Sequence, residues 1–299
     1  MRTKGVIYTV LSAALFGFMP VFADMSYSFG NNPYNMVFFR NLMVLPFLWF
    51  LISKGKLSMK LIKYERRGVI LVSVLGSALT TILLYQSYVY IGVGTTTTIH
   101  FLYPLLVCLN CRLFFGERIP KSRKICLAVC VAGVLCFLDL QNLNHLKGVL
   151  MAAGSAVCYS FYITYLGKMG LTRIHPAVYS FYLSSIVSVF MLVLNVPMGY
   201  LILRLPWQAY LLMFFVAVGT SLIGSILLNK GVKEIGAVDA SIFSLVEPIT
   251  SVIAGILVLG EPFGIRNGLG CLLIFGAILG GELGGRRGNG MEDGKVKNI

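Results

Sequence analysis

Apolar residues in this chain occur in long blocks, whereas a soluble α/β core would alternate shorter blocks with polar helix faces. Ten blocks follow one another, most of them 19–24 residues long. A helix rises about 1.5 Å per residue, so such a block crosses the roughly 30 Å core of a bilayer. Lipid leaves no partner for a free backbone group, so the blocks are predicted to be helices. The predicted spans 1–10 cover residues 5–23, 33–53, 68–91, 95–115, 125–140, 148–166, 177–198, 207–228, 237–259 and 265–283.

One stretch of the chain occurs twice. Residues 91–119 align without a gap with residues 235–263, an offset of 144. The identical positions include a proline inside the apolar run and a Gly-Glu pair at its end, namely Pro104 and Pro248, Gly116 and Gly260, and Glu117 and Glu261. A repeat with this period is typical of a duplicated architecture. It predicts one half at residues 1–140, a second at 141–285, and a polar tail at 286–299.

The distribution of basic residues predicts how the spans are oriented. With the N-terminus in the cytoplasm, 21 Lys and Arg residues fall on the cytoplasmic side and 3 on the outer side. This bias is typical of multi-pass membrane proteins and places both termini in the cytoplasm. Five spans per half is an odd number, so equal halves insert in opposite orientations. The fold class is therefore predicted as all-α and integral to the membrane, with ten helices in two inverted five-helix repeats.

Composition excludes several other classes. The chain is 57% hydrophobic and 12% charged, against roughly 25% charged in a soluble domain. A net charge of +14 would indicate nucleic acid binding in a soluble protein, but here the basic residues follow the membrane rule. The seven cysteines lie in apolar runs without ligand spacing for a metal. We therefore expect a lipid bilayer as partner, no nucleic acid, no cofactor, and no enzymatic activity.

Together these features resemble the drug/metabolite transporter superfamily, of the ten-helix type with two EamA domains. The resemblance rests on the duplicated proline-containing span, its Gly-Glu end, the glycines of the following span, and Phe39-Arg40 in span 2. It implies a solute carrier of the cell membrane, plasma or inner, that works by alternating access. Spans 1, 3, 4, 6, 8 and 9 would surround a central cavity. Members carry amino acids, amines, metabolites and sugars, so the resemblance leaves the substrate open.

Polar residues at helical spacing predict the faces that line such a cavity. In span 4, positions 96, 100 and 103 share one face, and the matching face of span 9 contains positions 244 and 247. Similar stripes follow spans 3, 6 and 8. The predicted cavity residues are Tyr85, Thr96, His100, Tyr103, Tyr159, Tyr162, Asn229, Ser244 and Glu247. The alternative is that each Ser, Thr or Tyr only forms hydrogen bonds between packed helices.

Three ionisable residues lie inside predicted spans, where a charge costs about 2.5–3.5 kcal/mol on insertion scales. Glu247 is either a proton acceptor or ligand for a substrate amine, or a protonated or paired structural carboxyl. His100 either titrates near neutral pH or stays a neutral hydrogen-bonding ring. Arg40 extends outward to water, forms an ion pair, or binds a substrate carboxylate.

Two further features are predicted to be structural. Glu117 and Glu261 close spans 4 and 9, where hydrogen bonding to the first turn of the next span is favoured over contact with a substrate. Glycines recur every four residues in span 10, at Gly276, Gly280 and Gly284, a spacing that favours close helix packing. This face could pack within the monomer or form a homodimer through span 10.

The function predicted from these residues is secondary transport, with export of small organic solutes such as amino acids or related metabolites. A cavity with several tyrosines, one acid, one imidazole and one arginine suits a small zwitterionic or amphipathic solute better than a metal ion. The alternatives are a membrane-embedded enzyme, which would need paired catalytic residues, and a receptor or scaffold, which would not need polar faces in both halves.

Overall fold

A computed structural model describes residues 2–136, 145–259, 264–266 and 268–279. Within these ranges all regular structure is helical. The helices are α1 Arg2–Tyr27, α2 Pro33–Leu42, α3 Leu45–Lys54, α4 Lys63–Leu71, α5 Leu79–His100, α6 Tyr103–Phe115, α7 Lys121–Leu135, α8 Leu146–Lys168, α9 Pro176–Met198, α10 Trp207–Val216, α11 Ser225–Phe243, α12 Glu247–Leu259 and α13 Gly268–Leu279. Two π-helical segments, Val72–Ala78 and Ala217–Gly224, join α4 to α5 and α10 to α11.

The long helices are those expected of a membrane protein. In the described ranges six are long and apolar enough to cross a bilayer, and α6 and α13 are shorter apolar helices. Two of the six, at Lys63–His100 and Trp207–Val258, contain 38 and 52 residues. The first includes span 3 and the beginning of span 4, and the second includes span 8 and nearly all of span 9. The ends predicted for spans 5 and 10, the tail 286–299, Gly280 and Gly284 lie outside the described residues. The count of ten spans stays a prediction.

The surface of the molecule is apolar and much of its interior is polar. Large side chains such as Phe50, Phe114 and Leu257 are 61–73% exposed. Many Ser and Thr residues are buried instead, and their hydroxyls donate to carbonyls one turn back, as Thr9 does to Gly5 and Thr220 to Val216. This arrangement fits a lipid solvent, in which the outer face is apolar and polar groups pair inside the protein.

Glycine interrupts α5 and α11 at corresponding positions. Gly92 has φ 72° and ψ 167°, and Gly236 has φ 80° and ψ 169°. A residue with a β-carbon rarely adopts this backbone region, so glycine permits the break. Each break separates one predicted span from the next, spans 3 and 4 in the first half and spans 8 and 9 in the second.

Span 2 corresponds to one of the six membrane-crossing helices, Pro33–Lys54, but a turn divides it into two parts. A turn at Met43–Val44 separates α2 from α3, and Pro46 lies in the first turn of α3. Proline has no backbone N–H and cannot continue the hydrogen-bond ladder of a preceding helix, which explains the interruption. The sequence analysis did not predict this turn.

The first helix of each half packs against the third span of the other half. At Gly5 of α1 a β-carbon would lie 2.6 Å from Cγ2 of Ile235. At Gly148 of α8 a β-carbon would lie 2.8 Å from Cγ2 of Ile91. Since real β-carbons essentially never come this close, glycine is required at both points for the helices to meet. These crossed contacts bring residues of both halves to one central cavity.

Candidate functional site

A cavity lies where the two halves of the chain meet. Its wall contains residues of α1, α2, α5, α8, α9, α11 and α12 and of both π-helical segments. The predicted site residues that line it are Arg40, Tyr85, His100, Tyr159, Tyr162 and Glu247. Their contact with a solute stays a prediction.

Arg40 extends into the cavity and not outward to water. Its Nε donates to Oγ of Ser221 at 3.2 Å and a terminal nitrogen donates to the Tyr85 hydroxyl at 2.9 Å. Both partners are neutral, and no carboxylate of the described residues forms an ion pair with it. A guanidinium has five N–H groups, so donors remain that could bind a carboxylate of a solute.

The Glu247 side chain enters the same cavity from the start of α12. A short 3-10 turn, Ser244–Val246, precedes it, and Pro248 follows it in the first turn of the helix. Its backbone is fixed by α1, because a β-carbon on Gly17 would collide with the Glu247 carbonyl. Within the described part of the chain its carboxyl has no basic partner at ion-pair distance. This group could accept hydrogen bonds from the ammonium of a solute.

His100 is held at the cavity wall by the opposite half. Its Nδ1 lies 2.9 Å from Oγ of Ser155, and that hydroxyl donates its single proton to the Ala152 carbonyl at 2.6 Å. Nδ1 must then be the donor to Ser155. In a neutral ring, Nε2 is left as an acceptor. A donating Nδ1 fits both a neutral and a protonated ring, so both alternatives for His100 stay predictions.

Aromatic rings form much of the remaining wall. Tyr159 and Tyr162 have nearly parallel rings with centroids 5.6 Å apart, and the centroids of Tyr85 and Tyr88 are 5.4 Å apart. These rings present apolar faces with hydroxyl groups at their ends, which suits a solute that has both apolar and polar parts.

Four predicted cavity residues do not line this cavity. Thr96 is fully buried behind its wall, where its hydroxyl pairs with Ser87 at 2.8 Å. Tyr103, Asn229 and Ser244 are 0–3% exposed and pack between helices. Tyr103 lies edge-on against Tyr159, with ring centroids 4.7 Å apart, and so supports a lining residue. Tyr103 lies beyond the turn between α5 and α6, where the spacing of one straight helix no longer holds.

The structure also adds lining residues that the sequence analysis did not predict. Thr97 and Phe101 belong to the wall, as does Pro20 of α1. Thr97 and Phe101 lie four residues apart, next to His100, so the helical spacing could have indicated them. Pro20 carried no such signal because its side chain is apolar.

Charged residues cluster near the helix ends. Asp239 accepts from Arg123 at 2.7 Å and lies 3.2 Å from Arg2, so that α11, α7 and α1 meet there. Glu117 forms an ion pair with Lys168 at 2.5 Å.

The Glu117 contact differs from the predicted one. Its partner lies at the end of α8 and not in the first turn of α7, because α6 and α8 pack side by side. The preceding Gly116 caps α6 with φ 62°, as its structural role predicts. The second copy of this motif, Gly260 and Glu261, lies outside the described residues.

Comparisons with known proteins agree with this architecture. The uncharacterized transporter YcbK of Bacillus subtilis is 25% identical over 309 residues, which are 93% of this chain and 92% of that protein. The uncharacterized transporter sll1319 of Synechocystis is 26% identical over 206 residues, which are 66% of this chain and 59% of that protein. A solved crystal structure that is 15% identical has the same fold, with a TM-score of 0.79 over 96% of this chain and 100% of that one.

The family assignment follows from a duplicated match. The description of the EamA-like transporter family fits the chain twice, at residues 3–138 and 146–280. Each match covers one half of the chain, and the resemblance inferred from the proline-containing repeat is confirmed at the level of the family. The chain is a multi-pass membrane transporter and belongs to the EamA-like transporter family, within the drug/metabolite transporter superfamily.

Proposed function

We propose that this protein is a secondary transporter that exports a small zwitterionic organic solute, such as an amino acid or a related metabolite. The observation that supports this most is the presence of one basic and one acidic side chain, Arg40 and Glu247, at the same cavity. Both line one cavity, and neither has an ion-pair partner among the described residues. A charge buried without a partner is costly, so a solute that supplies a carboxylate and an ammonium would stabilise both groups.

The proposed topology is ten spans in two inverted repeats, with both termini in the cytoplasm. The proposed location is the plasma or inner membrane of the cell. Support comes from the paired glycine breaks at Gly92 and Gly236 and from the paired π-helical segments. The split of 21 basic residues against 3 supports the orientation. An inverted repeat gives two related arrangements of one scaffold, which is the usual basis of alternating access.

The ion pairs support a cycle between two such arrangements. In the proposed topology, Asp239 with Arg123, and Glu117 with Lys168, lie at the cytoplasmic end. The cavity residues Arg40, Tyr88 and Ser251 belong to the outer halves of their spans. Opening the cavity toward the cytoplasm would separate the helices that these ion pairs join. We therefore propose that they stabilise the state closed to the cytoplasm.

A homodimer through α13 is also proposed. Gly276 is exposed, and a β-carbon there would meet nothing within 4 Å. The opposite side of this helix packs within the monomer, since Gly133 of α7 approaches Ile274. An open glycine on an outer helix face would allow a second copy to approach closely.

Counterflow in reconstituted liposomes tests the transport proposal. Labelled amino acids, amines and other metabolites are offered outside vesicles that contain the same unlabelled compound. We expect accumulation of at least one zwitterion, and none in vesicles without protein. If no member of a broad panel moves, the proposal fails.

The role of Glu247 is tested with a matched pair of variants. Glu247→Gln removes the charge from the cavity, whereas Glu234→Gln removes a carboxylate from an exposed position on α11. We expect Glu247→Gln to lower transport at least tenfold and to change its pH dependence, with Glu234→Gln close to the parent. An unchanged rate and pH profile in Glu247→Gln would make this acid structural.

A further inference from the structure

A second cavity of about 530 Å³ adjoins the first. We call it the side pocket; it lies between α1, the last two turns of α5, and α12. Thr97, Phe101 and Ser251 line both cavities, so the two spaces meet at these side chains. A molecule in the main cavity could extend a substituent past them.

Five of the side chains that line the side pocket are apolar and three carry a hydroxyl group. Val21, Val93 and Val252 form its walls together with Phe101 and Pro248. Thr97 and Thr98 also line it, but their hydroxyls donate to the Val93 and Gly94 carbonyls of their own helix, at 2.8–3.0 Å. Its polar groups are therefore largely satisfied. Among the described residues that line it there is no Asp, Glu, Lys, Arg or His, whereas Arg40 and Glu247 line the main cavity.

We propose that the side pocket binds the apolar part of the transported solute while Arg40 and Glu247 bind its charged groups. This inference rests on the proposed function and narrows its substrate class to zwitterions with a large apolar side chain. Water in an apolar pocket has few partners, so an apolar substituent that replaces it gains the free energy of leaving water. Each buried methylene then raises affinity about fourfold.

Phe101 is the largest of the three side chains that line both cavities. It is 2% exposed, follows His100 in the chain, and has its ring centroid 6.2 Å from that of the imidazole. Its ring thus contacts both the polar wall and the entrance of the side pocket. We assign Phe101 as a specificity-determining residue for the length of the apolar side chain.

The test is a chain-length series measured on the purified full-length protein in detergent. Alanine, norvaline, norleucine and 2-aminooctanoic acid share one charged end and differ only in apolar length. Binding is read from the rise in melting temperature with concentration, which gives affinity without transport. We expect affinity to rise about fourfold per methylene along the series. An affinity that does not depend on chain length overturns the inference.

Val252→Phe fills the side pocket, and Leu257→Phe is the matched control on the outward face of the same helix, where Leu257 is 73% exposed. We expect Val252→Phe to weaken the binding of 2-aminooctanoic acid at least tenfold while alanine binding changes less than threefold. In the control, affinity should rise with the length of the apolar chain as it does in the parent protein. An equal loss for both ligands, or no loss for either, contradicts the proposal.

Phe101→Leu keeps the inference testable if Val252→Phe does not fold. The smaller side chain joins the two cavities, so we expect 2-aminooctanoic acid to gain affinity relative to alanine. A ratio equal to that of the parent overturns the role of Phe101. Failure of the proposed function is distinguishable, since in that case no zwitterion of any length binds the parent protein.

Discussion

The helix after Gly92 and the helix after Gly236 have the same shape but carry different side chains. Both begin after a glycine with positive φ, break once in mid-course, and resume with a proline in the first turn, Pro104 in one and Pro248 in the other. At matching positions, however, the first has His100 and Tyr103 where the second has Ser244 and Glu247.

The difference separates the scaffold from the cavity. Positions that determine where helices break or touch are repeated, because both halves pack in the same way. At the cavity, Ser77 and Leu84 are repeated as Ser221 and Leu228, but Arg40, His100 and Glu247 are not repeated. A small solute with two unlike ends has no need of a symmetric site. The same contrast holds for charge, since Asp239 of the second half corresponds to Thr95 of the first.

The largest effect is expected from a substitution in the charge cluster of Asp239, Arg123 and Arg2, which has no counterpart among the described residues of the other half. Asp239→Ala leaves Arg123 without this partner, and the Arg123 side chain is only 9% exposed. We expect a loss of about 1.5–3 kcal/mol of stability, because a charge-assisted hydrogen bond is removed from a poorly solvated site. The measurement is denaturant unfolding of the detergent-solubilised protein. Thr95→Ala, at the matching position of the first half, is the control. An equal loss of stability in Thr95→Ala and Asp239→Ala would contradict a difference between the halves.

Adding one methyl group at the repeated glycines tests the shared scaffold. In Gly5→Ala and Gly148→Ala the new β-carbon meets Ile235 and Ile91, respectively. We expect each to cost about 1–3 kcal/mol by overpacking, with similar values in the two halves. Gly276→Ala, where the space is open, should not destabilise the protein. A large loss at one glycine and none at the other would show that the two crossings are not equivalent.

Two serines at matching positions separate stability from function. Ser12 donates to the Gly224 carbonyl at 2.8 Å, whereas Ser155 accepts from His100. We expect Ser12→Ala and Ser155→Ala each to cost about 1 kcal/mol. Only Ser155→Ala should also lower transport, because His100 then loses the partner that orients its ring. Equal counterflow rates in the two variants would contradict a role for His100 at the cavity.

The smallest effect concerns the residues that cap α2 and α9. Asn32 and His175 occupy the N-cap of these helices, each before a proline. Burial, with Lys230 and Lys233 nearby, lowers the pKa of His175 below its usual value of 6.5. Near this pKa the unfolded state binds more protons than the folded state. The contribution of His175 to the free energy of unfolding is therefore complete above pH 6.5 and is lost as the pH falls.

His175→Asn should therefore flatten the fall in melting temperature between pH 7 and pH 5. At pH 7 the variant should differ from the parent by roughly 0.5 kcal/mol or less. Asn32→Ser, which retains a capping side chain in the other half, is the control and should keep the pH dependence of the parent. An unaltered pH profile in His175→Asn would contradict this assignment.

The sequence predicted the repeat, the apolar spans and part of the cavity wall. Arg40, Tyr85, His100 and Tyr159 line the cavity. Thr96, in the same helix as His100, does not. Other features were not accessible from spacing alone.

Positions beyond a break follow a different rotation from that of a straight helix, which is why Tyr103 was misplaced. The π-helical segments add a similar offset before Asn229. The side pocket depends on a gap between α5 and α12, which are far apart in the chain, so no local pattern could indicate it.

The most direct measurement of the central claim is competition by three forms of one solute in the counterflow assay. Leucine has both charges, leucinamide lacks the carboxylate, and N-acetylleucine lacks the ammonium. The account predicts that each derivative competes at least tenfold less well than leucine. In Arg40→Gln, leucinamide should compete as well as leucine. In Glu247→Gln, N-acetylleucine should compete as well as leucine. If both derivatives compete as well as leucine with the parent protein, Arg40 and Glu247 do not form a zwitterion site.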